Sequence, residues 1–319
     1  ELTLIQRVRR ATVACHATLP AAFPKAVAAL KDIAPHVQHG FVGIFLPDFV
    51  GQHGHAHFEE SMEALKFFTP FSSSEFAIRE FLKRDLPRTL AVMERWSQDK
   101  NEHVRRLASE GSRPRLPWSF RLEALVTDPS PAAPIFENLR ADPSLYVRKS
   151  VANHLNDISK DHPDWILAKL KSWDLTHPHT KWIAKRAART LIKAGHKPAL
   201  TLFNFGGKPA VKVSDFKVTP ARLKLGQALE FSFSLISTTR KAQSLAVDYI
   251  IHYVKASGGT APKVFKLREL TLASGGKQVI RKRQTIRNFT TRRHHAGRHR
   301  VEIQINGLLL AQGQFILSL

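Results

Sequence analysis

The chain has 319 residues, with Lys and Arg numbering 49 against 26 acids, a formal charge of +23 and a pI near 10.5. That charge points to a polyanionic partner and salt-sensitive association, while a single cysteine, Cys15, excludes an internal disulfide framework and fits a reducing cytosol. No apolar run approaches the roughly 20 residues that span a bilayer, and no signal-type apolar core follows the basic N-terminal segment, so the expectation is a soluble, intracellular protein.

Single cores seldom grow beyond roughly 250 to 300 residues, so two domains are expected. Charge is also uneven: residues 197–319 carry 21 basic and 5 acidic side chains, +16, which leaves +7 upstream.

Up to about His196 the hydrophobic period is helical. AAFPKAVAALKDIAPHV, MEALKFF, EFAIREFLKRDLPRTLAVMERW and WIAKRAARTLIKAG place apolar residues three and four apart and are broken by Pro, Gly or Asp. In the segment QHGHAHFEE, His53, His55 and His57 would share one face of a strand, but without a clear second shell they read as an exposed loop, and no metal is expected. Next comes FSSSEF. Ser72 and Glu75 have capping-box spacing with Phe71 and Phe76 as staple, so Glu75 is either a cap or a functional carboxylate.

Glu110 precedes Gly111, an expected C-cap, in LASEGSRPRLPW. There the helix dipole disfavours an anion by about 0.3 to 1 kcal/mol. Arg106, four residues back, offers a surface pair, and a carboxylate kept at an unfavourable place is a functional candidate. In Arg113-Pro114-Arg115-Leu116-Pro117-Trp118 the two prolines forbid helix and stiffen the turn. Trp118 is therefore either a stacking or sugar-contacting ring delivered at a fixed place, or a plug for the helical core.

The stretch SLYVRKSVANHLNDISKDHPDW is an amphipathic helix with Val147, Val151, Leu155 and Ile158 on one arc and Lys149, Asn153, Asn156 and Lys160 behind them. Asp157 stands at the edge of that polar stripe, either as an ion-pair partner of Lys149 or Lys160 or as a functional acid. Amides and ammonium groups without interleaved Glu suit contact with phosphate. HVRRLAS, YVRKSVA and WIAKRAA echo one another at offsets of 43 and 36 residues, inside the range of HEAT-like helical pairs, which predicts a curved stack of antiparallel helices.

After Gly206 and Gly207 the period becomes two, in EFSFSL, VDYIIHY and VEIQI, and strand-like runs recur near 211, 229, 245, 263, 277, 299 and 309. About seven short strands predict an immunoglobulin-like sandwich without the usual disulfide. The expected fold is thus multidomain, a HEAT-like helical solenoid over 1–205 and an all-β immunoglobulin-like sandwich over 206–319. RKRQTIRNFTTRRHHAGRHR spans two strands and a loop, with Arg287, Arg292 and Arg293 near the loop, suited to phosphate or minor-groove contact. P-loop, dinucleotide-binding and nucleophile-elbow motifs are absent from the sequence.

SSSEFAIREFL, EGSRPRLPW and YVRKSVANHLNDISKDHPDW, in that order, closely resemble the AlkC branch of the bacterial AlkC/AlkD DNA alkylation-repair glycosylases, and the strand-rich tail resembles the immunoglobulin-like domain of one AlkC subset. The resemblance implies removal of cationic methylated bases, 3-methyladenine and 3-methylcytosine, from duplex DNA by hydrolysis of the N-glycosidic bond, with no cofactor or metal and without full base flipping. Glu75, Glu110 and Asp157 match the family's acidic positions and Trp118 its aromatic one. Arg113, Arg148, Lys149, Asn153, Lys160, Lys185, Arg186, Arg287, Arg292 and Arg293 are the expected DNA contacts of a monomer working in the bacterial cytosol at the nucleoid. The competing readings are a non-catalytic nucleic-acid-binding scaffold and an interaction scaffold for acidic proteins.

Overall fold

The first helices follow local start signals. In this computed structural model, which describes residues 2–37, 40–290 and 292–319, Thr3 and Gln6 form a capping box at α1 (Leu4–Thr18), and Pro24 stands in the first turn of α2 (Phe23–Ile33). Then come α3 (Phe45–His53), α4 (Phe58–Phe68), α5 (Ile78–Arg84) and α6 (Leu86–Trp96), the last capped by Asp85, whose carboxylate accepts from the Arg88 N–H at 3.1 Å. Asn101 caps α7 (Glu102–Gly111) by accepting from the His103 N–H at 2.8 Å. After α8 (Glu123–Thr127) and α9 (Ala133–Leu139), Ser144 caps α10 (Leu145–Ile158), and prolines open α11 (Pro163–Lys171) and α12 (Pro178–Ala187).

Val147, Val151, Leu155 and Ile158 are all buried, as the apolar arc of α10 requires. The three echoing segments lie in α7, α10 and α12, and α10 stands between the other two and touches both. In a second layer α9 packs on α6, α7 and α10. Gly111 is still helical rather than a left-handed cap. A Cβ there would meet Ile78 Cγ2 at 2.5 Å, so the glycine permits α5 and α7 to approach closely.

The chain divides into two compact units, Glu1–Ala188 and Arg189–Leu319, whereas the sequence puts the change of period at 206. The short helices α13 (Arg189–Lys193) and α14 (Lys197–Leu202) go with the strands for a physical reason. Gln304 Nε2 donates to the Lys193 carbonyl at 3.0 Å, and Gly195 and Gly307, both at positive φ, bring their backbones so close that a Cβ on either would meet the other's Cα within 3.0 Å.

Eight strands follow among the described residues: β1 (Val211–Thr219), β2 (Arg222–Lys224), β3 (Ala228–Ser237), β4 (Gln243–Val254), β5 (Thr260–Leu272), β6 (Lys277–Thr285), β7 (Gly297–Ile305) and β8 (Leu308–Ser318). They form a three-stranded sheet, β1-β3-β6, and a five-stranded sheet, β2-β8-β7-β4-β5, antiparallel except for β2 on β8. Phe231, Phe233, Val247, Ile251, Val301, Ile303 and Phe315 fill the core, from the residues that alternate in the sequence. The buried phenol of Tyr249 donates to Gln284 at 2.5 Å, and burial pushes its pKa up to about 12. No single helix among the described residues is long and apolar enough to cross a membrane.

Candidate active site

Three carboxylates from three segments meet in the helical unit. Glu75 lies in the turn between α4 and α5, Glu110 in the last turn of α7 and Asp157 near the end of α10. Glu75 is not a cap: α5 starts at Ile78 with no side-chain cap bond, Ser72 Oγ donates to the Gly40 carbonyl at 2.9 Å, and Ser73 Oγ donates to the Glu75 carboxylate at 2.9 Å. Arg106 Nη1 pairs with that carboxylate and donates to Ser73 Oγ at 2.7 Å, while its Nη2 reaches Glu110 Oε1 at 3.6 Å.

Beyond Glu110 the row continues. Arg113 donates through Nη1 to Glu110 Oε1 at 2.6 Å, and through Nε and Nη2 to Asp157 Oδ2 at 2.8 and 2.6 Å. Lys160 Nζ reaches Asp157 Oδ1 at 3.0 Å, and Ser150 Oγ donates to Glu110 Oε2 at 2.5 Å. Carboxylate and cation thus alternate from Glu75 through Arg106, Glu110, Arg113 and Asp157 to Lys160. Burial disfavours the Arg113 cation, but the adjoining Glu110 and Asp157 carboxylates outweigh it and raise its pKa. A row of this kind fixes carboxylate oxygens in place before any ligand arrives, which is what electrostatic preorganisation needs.

One end of the row opens into a cleft of about 650 Å³. Glu75 and Arg106 form part of its wall, with Phe41, Phe71, Phe76, His103, Trp118 and Tyr146. Trp118 is 65% exposed, so it does not plug the core; its ring stands 5.8 Å from that of Phe41. Glu110 and Asp157 are only 6% and 5% exposed, which makes Glu75, of the three, the carboxylate that lines the cleft.

The expected DNA contacts divide. Lys149 and Arg186 are exposed, Lys185 and Asn153 half-buried, and Lys160 keeps a 46% exposed side chain beside Asp157. Arg113 is instead buried and engaged with two carboxylates, so it holds the acids rather than reaching a phosphate. Arg148 is likewise engaged, donating to the carbonyls of Asp142 and Pro143 at 2.8 and 2.7 Å. Asn156, expected on the polar stripe, is 4% exposed. In the strand unit Arg287 and Arg293 are exposed in the segment between β6 and β7, and Arg292 lies over the Tyr253 ring at 4.8 Å; Thr291 of the same basic run lies outside the described residues.

The three histidines do not form an exposed loop. His53 ends α3 and stacks on His16 at 4.0 Å, His55 packs on Phe81 and His57 on Phe23. Among the described residues no three His, Cys, Asp or Glu side chains are grouped to hold a metal ion. Sequence reasoning missed the bridging role of Arg106, although its spacing from Glu110 was a signal, and missed Ser73, Ser150, Phe41 and Tyr146, which carry none.

Residues 68–194 match the family described as DNA alkylation repair enzyme, and residues 212–319 match the C-terminal Ig-like domain of the uncharacterised protein YhaZ. The fold superimposes with a TM-score of 0.96 on Pseudomonas fluorescens alkylpurine DNA glycosylase AlkC, solved bound to DNA containing an abasic site analog, at 52% identity over 100% of this chain and 89% of that one. The chain belongs to the AlkC family. The uncharacterized protein YhaZ of Bacillus subtilis (strain 168) is 48% identical over 307 residues, 96% of this chain and 85% of that protein. The motifs carrying Glu75, Glu110, Trp118 and Asp157 all fall inside the alkylation-repair match, and the basic run of 281–300 inside the Ig-like one.

Proposed function

We propose that this AlkC-family protein is a monofunctional DNA glycosylase that hydrolyses the N-glycosidic bond of cationic alkylated bases, 3-methyladenine and 3-methylcytosine, in duplex DNA at the bacterial nucleoid. The observation that carries the proposal is the row of three carboxylates and interleaved cations running from the cleft wall at Glu75 to Asp157.

The chemistry follows from the charge of the substrate. A methylated, cationic base leaves with both electrons of the glycosidic bond and departs neutral, so no acid need protonate it. The positive charge passes to the sugar at C1′ and its ring oxygen. Water then adds at C1′ and gives up a proton. Carboxylates stabilise the sugar cation and orient or deprotonate that water. Glu75 meets the sugar from the cleft wall, with Trp118 beside it, and Glu110 and Asp157 supply the fixed field and hold the water. An exposed ring on a stiff turn reaches the lesion's sugar from outside the stack, which supports cleavage without complete extrusion of the base.

Lys149, Lys160, Lys185 and Arg186 contact phosphates on the helical unit, and Arg287, Arg292 and Arg293 on the sandwich unit. The protein acts as a monomer. A passive scaffold would lose affinity for phosphate by burying carboxylates among its cations, which favours the enzyme.

Incubation with N-methylated duplex DNA followed by chromatography of the freed bases tests the proposal. Glu110→Ala and Asp157→Ala should release 3-methyladenine slowly while keeping duplex affinity. Wild-type release by both variants removes these acids from the mechanism, and no release by the wild type removes the activity.

A further inference from the structure

The turn that carries Trp118 is fastened from beneath. We infer that Arg79 is a positioning residue for Trp118, a buried guanidinium that ties both sides of the turn to α5 and so aims the ring at the lesion's sugar.

Arg79 is 0% exposed, the largest side chain among the described residues to be so fully enclosed. Its Nη1 donates to the carbonyls of Gly111 and Arg113 at 3.0 and 2.5 Å, and its Nη2 donates to the carbonyl of Phe120, whose ring lies 5.4 Å from the guanidinium. Those three carbonyls bracket Trp118 in the chain. Between them Leu116 is buried and Pro114 and Pro117 restrict the backbone further, and just beyond them the Leu122 N–H donates back to the Pro114 carbonyl at 3.1 Å.

Trp118 itself adopts φ +65°, a left-handed conformation that bulky L-residues rarely take and that persists only where the surroundings over-determine it. The three-carbonyl clamp supplies that constraint. Enclosing a cation in this way is unfavourable: burial first, then the nearby Arg113 charge, pull the Arg79 pKa down to about 10, which still leaves it protonated at neutral pH. Arg79 also follows Glu75 by four residues, so the segment that carries the acid on the cleft wall also carries the clamp on the turn that delivers Trp118 to the same cleft. A lysine ammonium lacks the planar fork that spans carbonyls on two sides.

The inference rests on the proposed contact between Trp118 and the lesion's sugar, and a double-mutant cycle separates the two. Single-turnover release of 3-methyladenine is measured for wild type, Arg79→Lys, Trp118→Ala and the double variant, alongside duplex affinity and the thermal midpoint. Arg79→Lys is expected to slow release on the order of 10²-fold with duplex affinity retained, and to slow it little further when Trp118 is already Ala.

A slow Trp118→Ala that Arg79→Lys slows again by its full factor overturns the inference alone, since the arginine then acts elsewhere. Full-rate release by Arg79→Lys does the same. Full-rate release by Trp118→Ala overturns the sugar contact and the inference with it. Should Arg79→Lys not fold, Pro117→Gly loosens the same turn with the clamp's donor in place; a comparable loss that disappears in the Trp118→Ala background supports the inference, and an unchanged rate overturns it.

Discussion

Arg113 donates to a single oxygen of Asp157, Oδ2, through both Nε and Nη2, and leaves Oδ1 to Lys160. The arginine is 8% exposed and also holds Glu110, so one guanidinium fixes two carboxylates from different helices. Arg113→Ala should leave Asp157 with Lys160, and Glu110 with Arg106 and Ser150, in a site with little water and without the cation that joins them. Breaking a buried pair by removing one partner costs about 3 to 5 kcal/mol, and urea unfolding of the variant should show a loss of that order together with slow base release. A loss below about 1 kcal/mol, as for exposed pairs, would mean that the row contributes no stability.

Glu75 is the acid that lines the cleft, and under the proposed function its contribution is chemical. Glu75→Gln keeps an acceptor for Arg106 and removes the charge. Base release should fall on the order of 10²-fold or more, as when one preorganised stabilising group is removed, while duplex affinity changes little. Single-turnover assays at saturating methylated DNA check this, and an equal fall in duplex affinity would assign Glu75 to binding instead.

Arg287 and Arg293 stand exposed in the segment between β6 and β7, away from the carboxylate row in sequence and in unit. Replacing each with Gln should lower the slope of log affinity against log salt by about one for every phosphate left without its cation. The single-turnover rate at saturating DNA should stay as it is. Titrations of fluorescent duplex across a salt series read the slope directly, and unchanged slopes in both variants place the phosphate-binding cations elsewhere.

The fold was legible wherever burial imposes a period. Val147, Val151, Leu155 and Ile158 on α10, and Phe231, Phe233 and Leu235 on β3, announce their buried face because helix and strand repeat differently. The acids of the site were legible through motif resemblance and, for Glu110, through its awkward place at a helix end. Their partners were not. Arg113 follows Glu110 closely in sequence but meets Asp157 across 44 positions, a contact that only the packing of α7 against α10 creates. The Ser72 to Glu75 spacing predicts a capping box, but the Ser72 hydroxyl is drawn to the Gly40 carbonyl and Glu75 to Arg106, so tertiary partners override the local one. Gly111 and Gly195 read as helix stops, whereas both also stand at close approaches that no one-dimensional pattern records.

Acid should act oppositely on the two units. In the helical unit His154 is fully enclosed, with Nδ1 2.9 Å from the Ser109 carbonyl and its ring edge-on to Phe136. Burial, then the Arg113 charge, hold its pKa well below the ordinary 6.5. The unfolded chain therefore binds a proton below pH 6.5 that the folded unit refuses. The stability due to neutral His154 is complete above that pH and falls by about 1.4 kcal/mol per pH unit below it until the folded ring protonates. In the strand unit Asp248 is 4% exposed, and burial raises its pKa from 3.8 to about 6. Here the folded state holds the proton more tightly, so the contribution is complete below pH 3.8 and is lost as pH rises through about 6. Hydrogen exchange followed separately in α10 and β4 between pH 7 and 5 should show α10 losing protection relative to β4. His154→Gln should flatten the first trend and Asp248→Asn the second, and parallel trends in both elements of the wild type would show that these two groups do not govern the acid response.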